Sequence, residues 1–194
     1  VGIINFENFK NIQKELGKQG TTLEYRESPI FVDPRDNDLG ARIISPLEKL
    51  YLTIKKLNLK IVESKFYIEK AFLKGIPVEG LNNLQNQLFG LEINFEKLNA
   101  IDFKKGCYVG QENTARIKLK NKLSKRLLPI EVIEGNLSEN ETITNNGVEI
   151  GKILINEKYP FALVKYLDKN FNRDETYKGK SSSFKIFVPD WLKI

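Results

Sequence analysis

The sequence predicts an α+β protein with a small β-barrel at its C-terminal end. In the first half of the chain, apolar residues recur at helical spacing in several segments, with short strands between them. From about Leu123, β-branched and aromatic runs alternate with turn formers, as in small barrels. Residues 120–125 form a basic connector without an apolar period, so we predict one domain at 1–121 and a second at 122–194.

The first domain is predicted to mix short strands with amphipathic helices. Pro46 fits a first helical turn, with Ser45 as the potential N-cap, and Gly75 ends a later helix. Residues 81–99 lack a clean period and predict loop with short turns. The predicted strands are residues 1–5, 21–26 and 29–33, with an extended run at 39–44. The predicted helices are residues 6–16, 46–54 and 64–74.

The second domain is predicted to be a closed or nearly closed barrel. Its apolar runs are short and evenly spaced, and Gly, Asn, Asp and Glu are frequent between them. The predicted strands are residues 126–133, 147–155, 160–167 and 183–188.

Composition limits the classes of function. The 194 residues include 41% hydrophobic and 29% charged residues, as in folded soluble proteins. No apolar run reaches the roughly 18 residues of a membrane span, and no export signal opens the sequence, so we expect a cytoplasmic protein. Histidine is absent and Cys107 is the single cysteine, which excludes an internal disulfide framework, a cysteine-rich metal site and histidine-based catalysis. We therefore predict no metal site.

Residue usage also suggests an origin. Lys, Asn and Ile are abundant, and A/T-rich codons encode them, so we expect a bacterial genome of low G+C content. The sequence contains no methionine, which leads us to expect that an N-terminal portion is missing.

The formal charge of +6 is concentrated in one segment. Between Lys104 and Arg126 the basic residues greatly outnumber the single acid, Glu112. Such a run attracts polyanions, although a solvated face with a basic connector is the simpler explanation. RNA binding would need more support, because Tyr108 is the one aromatic residue in the run. The basic residues are Lys104, Lys105, Arg116, Lys118, Lys120, Lys122, Lys125 and Arg126.

Residues 105–112 read Lys-Gly-Cys-Tyr-Val-Gly-Gln-Glu and carry the strongest functional signal. This segment resembles the signature of the folate-binding YgfZ family, relatives of the glycine-cleavage T-protein that support iron–sulfur proteins. The resemblance covers residues 25–135 well and the remainder in outline. Further segments that fit the family are residues 33–35 with 39–42, the turn at 75–77, residues 88–92 with Gly90 in place of the usual proline, 114–116 and 125–127.

The resemblance implies a three-domain cloverleaf of the GcvT type around a central folate site, with a small barrel as the last domain. It implies a tetrahydrofolate-binding accessory protein for iron–sulfur cluster assembly or repair and for iron–sulfur-dependent tRNA modification. The implied partners are iron–sulfur assembly proteins or radical tRNA-modifying enzymes. The alternative is an aminomethyltransferase that transfers a one-carbon unit to tetrahydrofolate. The cysteine-bearing signature favours the accessory protein, because fold similarity alone does not decide function.

The polar residues near the signature suit a folate ligand. Gln111 and Glu112 can donate and accept hydrogen bonds toward the edge of a pterin, and Glu92 is a second acceptor. Tyr108 can stack on a flat ring, and Arg116 suits the carboxylates of a glutamate tail. The structural alternative is that Tyr108 is buried, while Gln111 and Glu112 cap a short helix at 113–118.

Cys107 is the candidate functional thiol. Gly106 and Gly110 flank it and allow tight turns or close approach of a ligand. Lys104 and Lys105 precede it and favour a reactive or metal-ligating thiolate. Since iron–sulfur centres normally take four cysteine ligands, this thiol can at most share a cluster with a partner. The alternative is a small buried hydrophobic residue.

Overall fold

The computed structural model describes residues 2–4, 21–106, 109–119 and 123–192. The chain divides into two compact units, Val1–Lys70 and Ala71–Ile194. Within the described ranges it contains three α-helices and ten strands, which confirms a mixed α+β fold. The helix predicted at 6–16 lies outside these ranges.

The first unit contains an antiparallel sheet of four strands. These strands are β1 (Gly2–Ile4), β2 (Thr22–Tyr25), β3 (Ser28–Val32) and β4 (Ala41–Ile43), in the spatial order β1-β4-β3-β2. Ile30 lies opposite Ile43, and both are buried with Val32 because alternate residues of a strand share one face. The predicted strands at 21–26 and 29–33 are confirmed, and the one at 1–5 is confirmed over its described residues 2–4.

The extended run predicted from residue 39 begins later than expected. Asn37–Leu39 form a 3-10 turn instead, and β4 starts at Ala41. Asp36 stabilises this turn, because its Oδ1 accepts a hydrogen bond from Asp38 N at 2.7 Å.

Helix α1 (Leu47–Lys56) occupies the predicted place but has a different start. The prediction of Ser45 as N-cap is wrong, because Pro46 occupies that position and makes no side-chain cap. Ser45 Oγ instead accepts a hydrogen bond from Ser28 Oγ at 2.9 Å. This hydrogen bond connects the residue that precedes Pro46 and α1 to strand β3.

The remaining helices are α2 (Ser64–Leu73) and α3 (Gln111–Leu119). Helix α2 confirms the helix predicted at 64–74. A 3-10 turn at Leu81–Leu84 and a series of further turns follow, as predicted for residues 81–99. None of the described helices has the length and apolar character needed to cross a bilayer.

Six strands of the second unit form a nearly closed, barrel-like sheet. They are β5 (Arg126–Gly135), β6 (Thr142–Asn145), β7 (Val148–Ile155), β8 (Phe161–Val164), β9 (Thr176–Lys178) and β10 (Ser182–Ile186). Their order is β6-β7-β8-β5-β10-β9, and every pair is antiparallel. The outer strands β6 and β9 approach each other, which brings the two edges of the sheet together.

The four strands predicted for the barrel are confirmed, and two more were missed. Strands β6 and β9 have only three or four residues, and each has one buried side chain, Ile143 and Tyr177. The interior of the barrel is filled by apolar side chains such as Ile130, Ile153 and Phe184. This core positions the start of β5, where the candidate site begins.

Candidate functional site

The turn that carries Glu92 is fixed to the first residues of β5. Leu127 N donates a hydrogen bond to Glu92 O at 2.8 Å, and Arg126 Nη1 donates to Leu91 O at 2.7 Å. Asn94 Nδ2 donates to Leu127 O at 2.8 Å. These contacts hold the backbone from which the Glu92 side chain extends.

Asn94 and Arg126 are buried polar residues that the sequence did not single out as part of a site. Asn94 has a φ of 67°, a left-handed conformation that asparagine tolerates better than most residues. Among the described residues, neither Asn94 Oδ1 nor Arg126 Nε has a hydrogen-bond partner. The Arg126 guanidinium lies 5.9 Å from the centre of the Tyr166 ring, a cation–π contact.

Glu92 is half-buried, and one of its carboxylate oxygens is already engaged. Its Oε2 accepts a hydrogen bond from Phe89 N at 3.0 Å, which closes a short turn. Its Oε1 has no hydrogen-bond partner in the part of the chain that the structure describes. Glu92 can therefore accept a hydrogen bond from a ligand without losing its own turn.

The signature at 105–112 is described except for Cys107 and Tyr108, which lie outside the described residues. Lys105 and Gly106 are exposed. Gly110 has a φ of 87°, and none of the described residues has an atom within 4 Å of a Cβ built on it. Glycine is therefore favoured at 110 by the backbone conformation and not by crowding.

Helix α3 begins with the last two residues of the signature. Gln111 is half-buried, whereas Glu112 and Arg116 are exposed and lie one turn apart on the same face. Glu112 lies in the first turn and Arg116 in the last, an arrangement that the helix dipole favours. Gln111 and Glu112 are thus helical residues, because α3 begins two residues before the expected start at 113.

Lys118 connects α3 to the segment after Glu92. Its Nζ lies 2.5 Å from Glu96 Oε1 and 5.6 Å from the centre of the Phe103 ring. In the described ranges, no hydrogen bond or ion pair joins Glu92 directly to Glu112 or Arg116. The described link between α3 and the segment that follows Glu92 is therefore the ion pair of Lys118 with Glu96.

The basic run is less exposed than its sequence suggests. Arg126 is only 6% exposed, and Lys118 is paired with Glu96. Lys120 and Lys122 lie outside the described residues. Two of the predicted surface charges are therefore taken up by contacts within the protein.

A second polar cluster lies in the first unit. From the sequence, Asp33, Arg35 and Arg42 were included in segments that fit the family but not in the candidate site, and Tyr67 was not singled out. Asp33, at the end of β3, has a fully buried side chain. Arg35 Nε and Nη2 donate to its two oxygens at 3.0 and 2.9 Å, and Arg42 Nε donates to Oδ2 at 3.0 Å. Tyr67 OH donates to Oδ2 at 3.3 Å and accepts a hydrogen bond from Arg42 Nη2 at 3.1 Å.

The two arginines control the ionisation of Asp33. Burial by itself would raise the pKa of Asp33, but hydrogen bonds from the side chain and backbone of Arg35, with the charges of Arg35 and Arg42, lower it below its ordinary value. Burial opposes the charge of Arg35 as well, yet its bonds and charge interaction with Asp33 raise the pKa of Arg35. Asp33 is therefore a carboxylate and Arg35 is protonated at neutral pH.

The described residues contain no group of three Cys, Asp or Glu side chains placed to hold a metal ion. The chemistry they offer at Glu92 and α3 is hydrogen bonding and charge: one carboxylate oxygen of Glu92, the Gln111 amide, and the exposed Glu112 and Arg116.

No protein-family model matches the chain. Among curated proteins, the tRNA-modifying protein YgfZ of Buchnera aphidicola subsp. Baizongia pistaciae is 28% identical over 204 residues, covering 94% of this chain and 59% of the relative. The mitochondrial iron–sulfur cluster assembly factor IBA57 of Mus musculus is 30% identical over 191 residues, covering 89% of this chain and 48% of the relative.

A third relative is the mitochondrial IBA57 homolog of Dictyostelium discoideum, also named an iron–sulfur cluster assembly factor. It is 33% identical over 110 residues, which cover 56% of this chain and 27% of the relative. The chain spans between 27% and 59% of the length of these three proteins. Two of the alignments run over most of this chain, and on that similarity it belongs to the family of YgfZ and IBA57.

Proposed function

We propose that this chain belongs to a tetrahydrofolate-binding accessory protein that supports iron–sulfur cluster assembly or repair and iron–sulfur-dependent tRNA modification. The observation that carries the proposal is the cysteine-bearing segment 105–112, Lys-Gly-Cys-Tyr-Val-Gly-Gln-Glu. The names of the mouse and Buchnera relatives, an iron–sulfur cluster assembly factor and a tRNA-modifying protein, support it. Since the chain spans at most 59% of those relatives, activity and partners of the whole protein are part of this proposal.

In the proposed site, Glu92 and the start of α3 bind the pterin end of folate. The fit rests on Glu92 Oε1, which has no hydrogen-bond partner among the described residues, and on the donor and acceptor atoms of Gln111 and Glu112. Tyr108 is assigned to stacking and Arg116 to the glutamate carboxylates. Tetrahydrofolate carries one-carbon units, and these residues would bind and orient it.

Calorimetric titration of tetrahydrofolate tests this site. Glu92→Ala should weaken binding about tenfold or more, because a hydrogen bond to a charged group is lost. Glu131→Ala is a matched control, since Glu131 is an exposed carboxylate on the same unit, in β5. Thermal melts of both variants separate lost binding from lost stability. Absence of binding heat with the intact protein, or equal affinity in Glu92→Ala, would remove the assignment.

Cys107 is proposed as a functional thiol, either reactive by itself or shared with a partner protein. Cys107→Ser should abolish complementation of a strain that lacks its own YgfZ-type gene, scored by an iron–sulfur-dependent tRNA modification. An aminomethyltransferase needs a folate pocket and an acid–base carboxylate but no thiol, so its turnover should survive the substitution. Full complementation by a Cys107→Ser protein with an unchanged melt would show that the thiol is structural.

We further propose that residues 1–121 belong to the folate-binding part of a cloverleaf and that residues 122–194 form a separate barrel domain. Limited proteolysis should then cut the intact protein between residues 120 and 125.

The bacterial cytoplasm is the proposed location, while the mouse and Dictyostelium relatives are named as mitochondrial. Cell fractionation of the source organism decides between these compartments.

A further inference from the structure

We propose that Arg35 and Arg42 form a binding site for a small oxyanion, either a carboxylate or a phosphate group. The site lies in the first unit and uses none of the candidate folate-binding residues. It therefore stands or falls independently of the proposed function. Three features of the cluster around Asp33 support it.

The first feature is that Asp33 has no capacity left for further donors. Its Oδ1 accepts hydrogen bonds from Arg35 N at 3.1 Å and Arg35 Nε at 3.0 Å. Its Oδ2 accepts from Arg35 Nη2 at 2.9 Å, Arg42 Nε at 3.0 Å and Tyr67 OH at 3.3 Å. A carboxylate offers about four lone-pair sites, so these donors saturate it. Any remaining N–H group of the arginines must find another acceptor.

The second feature is the pair of guanidinium groups that still point outward. Within the described ranges, neither Arg35 Nη1 nor Arg42 Nη1 donates a hydrogen bond, and neither atom is a buried unsatisfied group. The Arg35 and Arg42 side chains are 20% and 30% exposed, whereas Asp33 is completely buried. Solvent, and therefore a ligand, reaches the cluster at its positively charged side.

The third feature is the balance of charge. Arg35 and Arg42 contribute two positive charges, and Asp33 is the one carboxylate that pairs with them in the described residues, which leaves one net positive charge. Arg35 alone already donates hydrogen bonds to both oxygens of Asp33, so we assign the net positive charge to Arg42. Both side chains are held in place by Asp33 and Tyr67, which reduces the entropy lost when a ligand binds.

The chemistry of the outward groups selects the ligand. A guanidinium is planar, is always charged, and matches the two oxygens of a carboxylate or phosphate with paired N–H groups. A cation would be repelled, and an apolar group would leave these donors unsatisfied. The preferred ligand is therefore a compact anion with at least two oxygens.

Two probes and two variants of the full chain test this site. Inorganic phosphate and glutarate, a dicarboxylate, are titrated separately while the arginine Nε–H signals are followed by NMR. Arg42→Gln should weaken binding about tenfold or more, while Asp33 remains paired with Arg35. Lys49→Gln removes the same charge from the same unit and should bind like wild type, because Lys49 pairs with Glu27 instead. The tighter-binding probe identifies the natural group as phosphate or carboxylate.

Failure of both probes to bind the wild-type protein would overturn the proposal, as would equal binding by Arg42→Gln and Lys49→Gln. Where a thermal melt shows that Arg42→Gln does not fold, Arg42→Lys replaces it. This variant keeps the charge but loses the paired N–H groups, so binding should still weaken. Wild-type affinity in a folded Arg42→Lys protein would likewise contradict the site.

Discussion

Gly75 packs directly against Pro189, so closely that a Cβ built on the glycine would lie 2.1 Å from Pro189 Cγ. Gly75 also has a φ of 71°, in the left-handed region. Beside it, Trp191 Nε1 donates a hydrogen bond to Lys74 O at 2.7 Å. The residues that follow α2 are therefore joined to the segment after β10, and this contact explains why the turn at 75–77 begins with glycine.

Gly75→Ala should lower the free energy of unfolding by about 2–4 kcal/mol, from left-handed strain and overlap with Pro189 combined. Gly147→Ala is the matched control, because Gly147 has a φ of 75° but no atom of the described residues lies within 4 Å of its added Cβ. That variant should lose only about 1–2 kcal/mol. Denaturant unfolding at equilibrium measures both. Equal losses of unfolding free energy in the two variants would show that Pro189 moves away from the new methyl group and that overlap with it contributes nothing.

Asp33 should make the protein sensitive to acid. Because its folded-state pKa lies below the unfolded value of about 3.9, its stabilisation is present above that pH and is lost as pH falls through the folded-state pKa. Asp33→Asn leaves Arg35 and Arg42 without their carboxylate partner. It should lower the free energy of unfolding by about 3–5 kcal/mol at pH 7. The difference in unfolding free energy between wild type and Asp33→Asn, measured in urea, should become smaller below pH 4. A difference that does not change with pH would contradict the stabilisation of the fold by the ionised Asp33.

Asn94 should be replaceable by glycine at lower cost than by alanine. Either change removes the hydrogen bond from Asn94 Nδ2 to Leu127 O, at a cost of about 1–3 kcal/mol for a buried group. Alanine adds about 1–2 kcal/mol, since it resists the left-handed φ of 67° that glycine adopts freely. Chemical denaturation of the two variants measures the difference. If alanine were the better tolerated, the backbone would have relaxed out of this conformation.

Tyr177 should contribute stability that is lost in alkali. Burial raises the pKa of its hydroxyl above the ordinary value of 10.0 against a hydrogen bond from Asn172 N, and the charge of Glu175 raises it further. The stabilisation is therefore complete below about pH 10 and falls as pH rises through the folded-state pKa. Tyr177→Phe should remove this component and the hydrogen bond from Tyr177 OH to Asn172 O at 2.8 Å.

Comparison of the unfolding free energies of wild type and Tyr177→Phe between pH 8 and 11 tests this. The difference should shrink as pH rises. Tyr51→Phe is the control, because the Tyr51 side chain is 54% exposed. A similar pH dependence for both variants would assign the alkaline loss to other groups.

The sequence predicted the longer elements and failed where an element is too short to show a pattern. Helix α1 has ten residues, and its apolar side chains recur at helical spacing, which makes its period readable. Strands β6 and β9 each bury a single side chain, and one residue has no period. Ser45 is a good cap by residue type, yet a nearby serine on β3 offered its hydroxyl another partner.

The candidate site shows the same division. The signature at 105–112 was readable because its residues are consecutive. The cluster of Arg35, Arg42 and Tyr67 around Asp33 was not, because it needs the pairing of β3 with β4 and a tyrosine 34 residues away on α2. The burial of Arg126 was equally hidden, since only the fold shows that its guanidinium reaches a backbone carbonyl and a ring.

The position of β5 in the barrel has a consequence for synthesis of the chain. Residues 126–135 emerge from the ribosome first among the barrel strands but need β8 on one side and β10 on the other. The second partner, Ser182–Ile186, follows roughly fifty residues later. One edge of β5 therefore has no partner strand while the intervening residues are synthesised. We therefore expect interrupted synthesis over that stretch to leave a strand edge exposed to pairing with other chains.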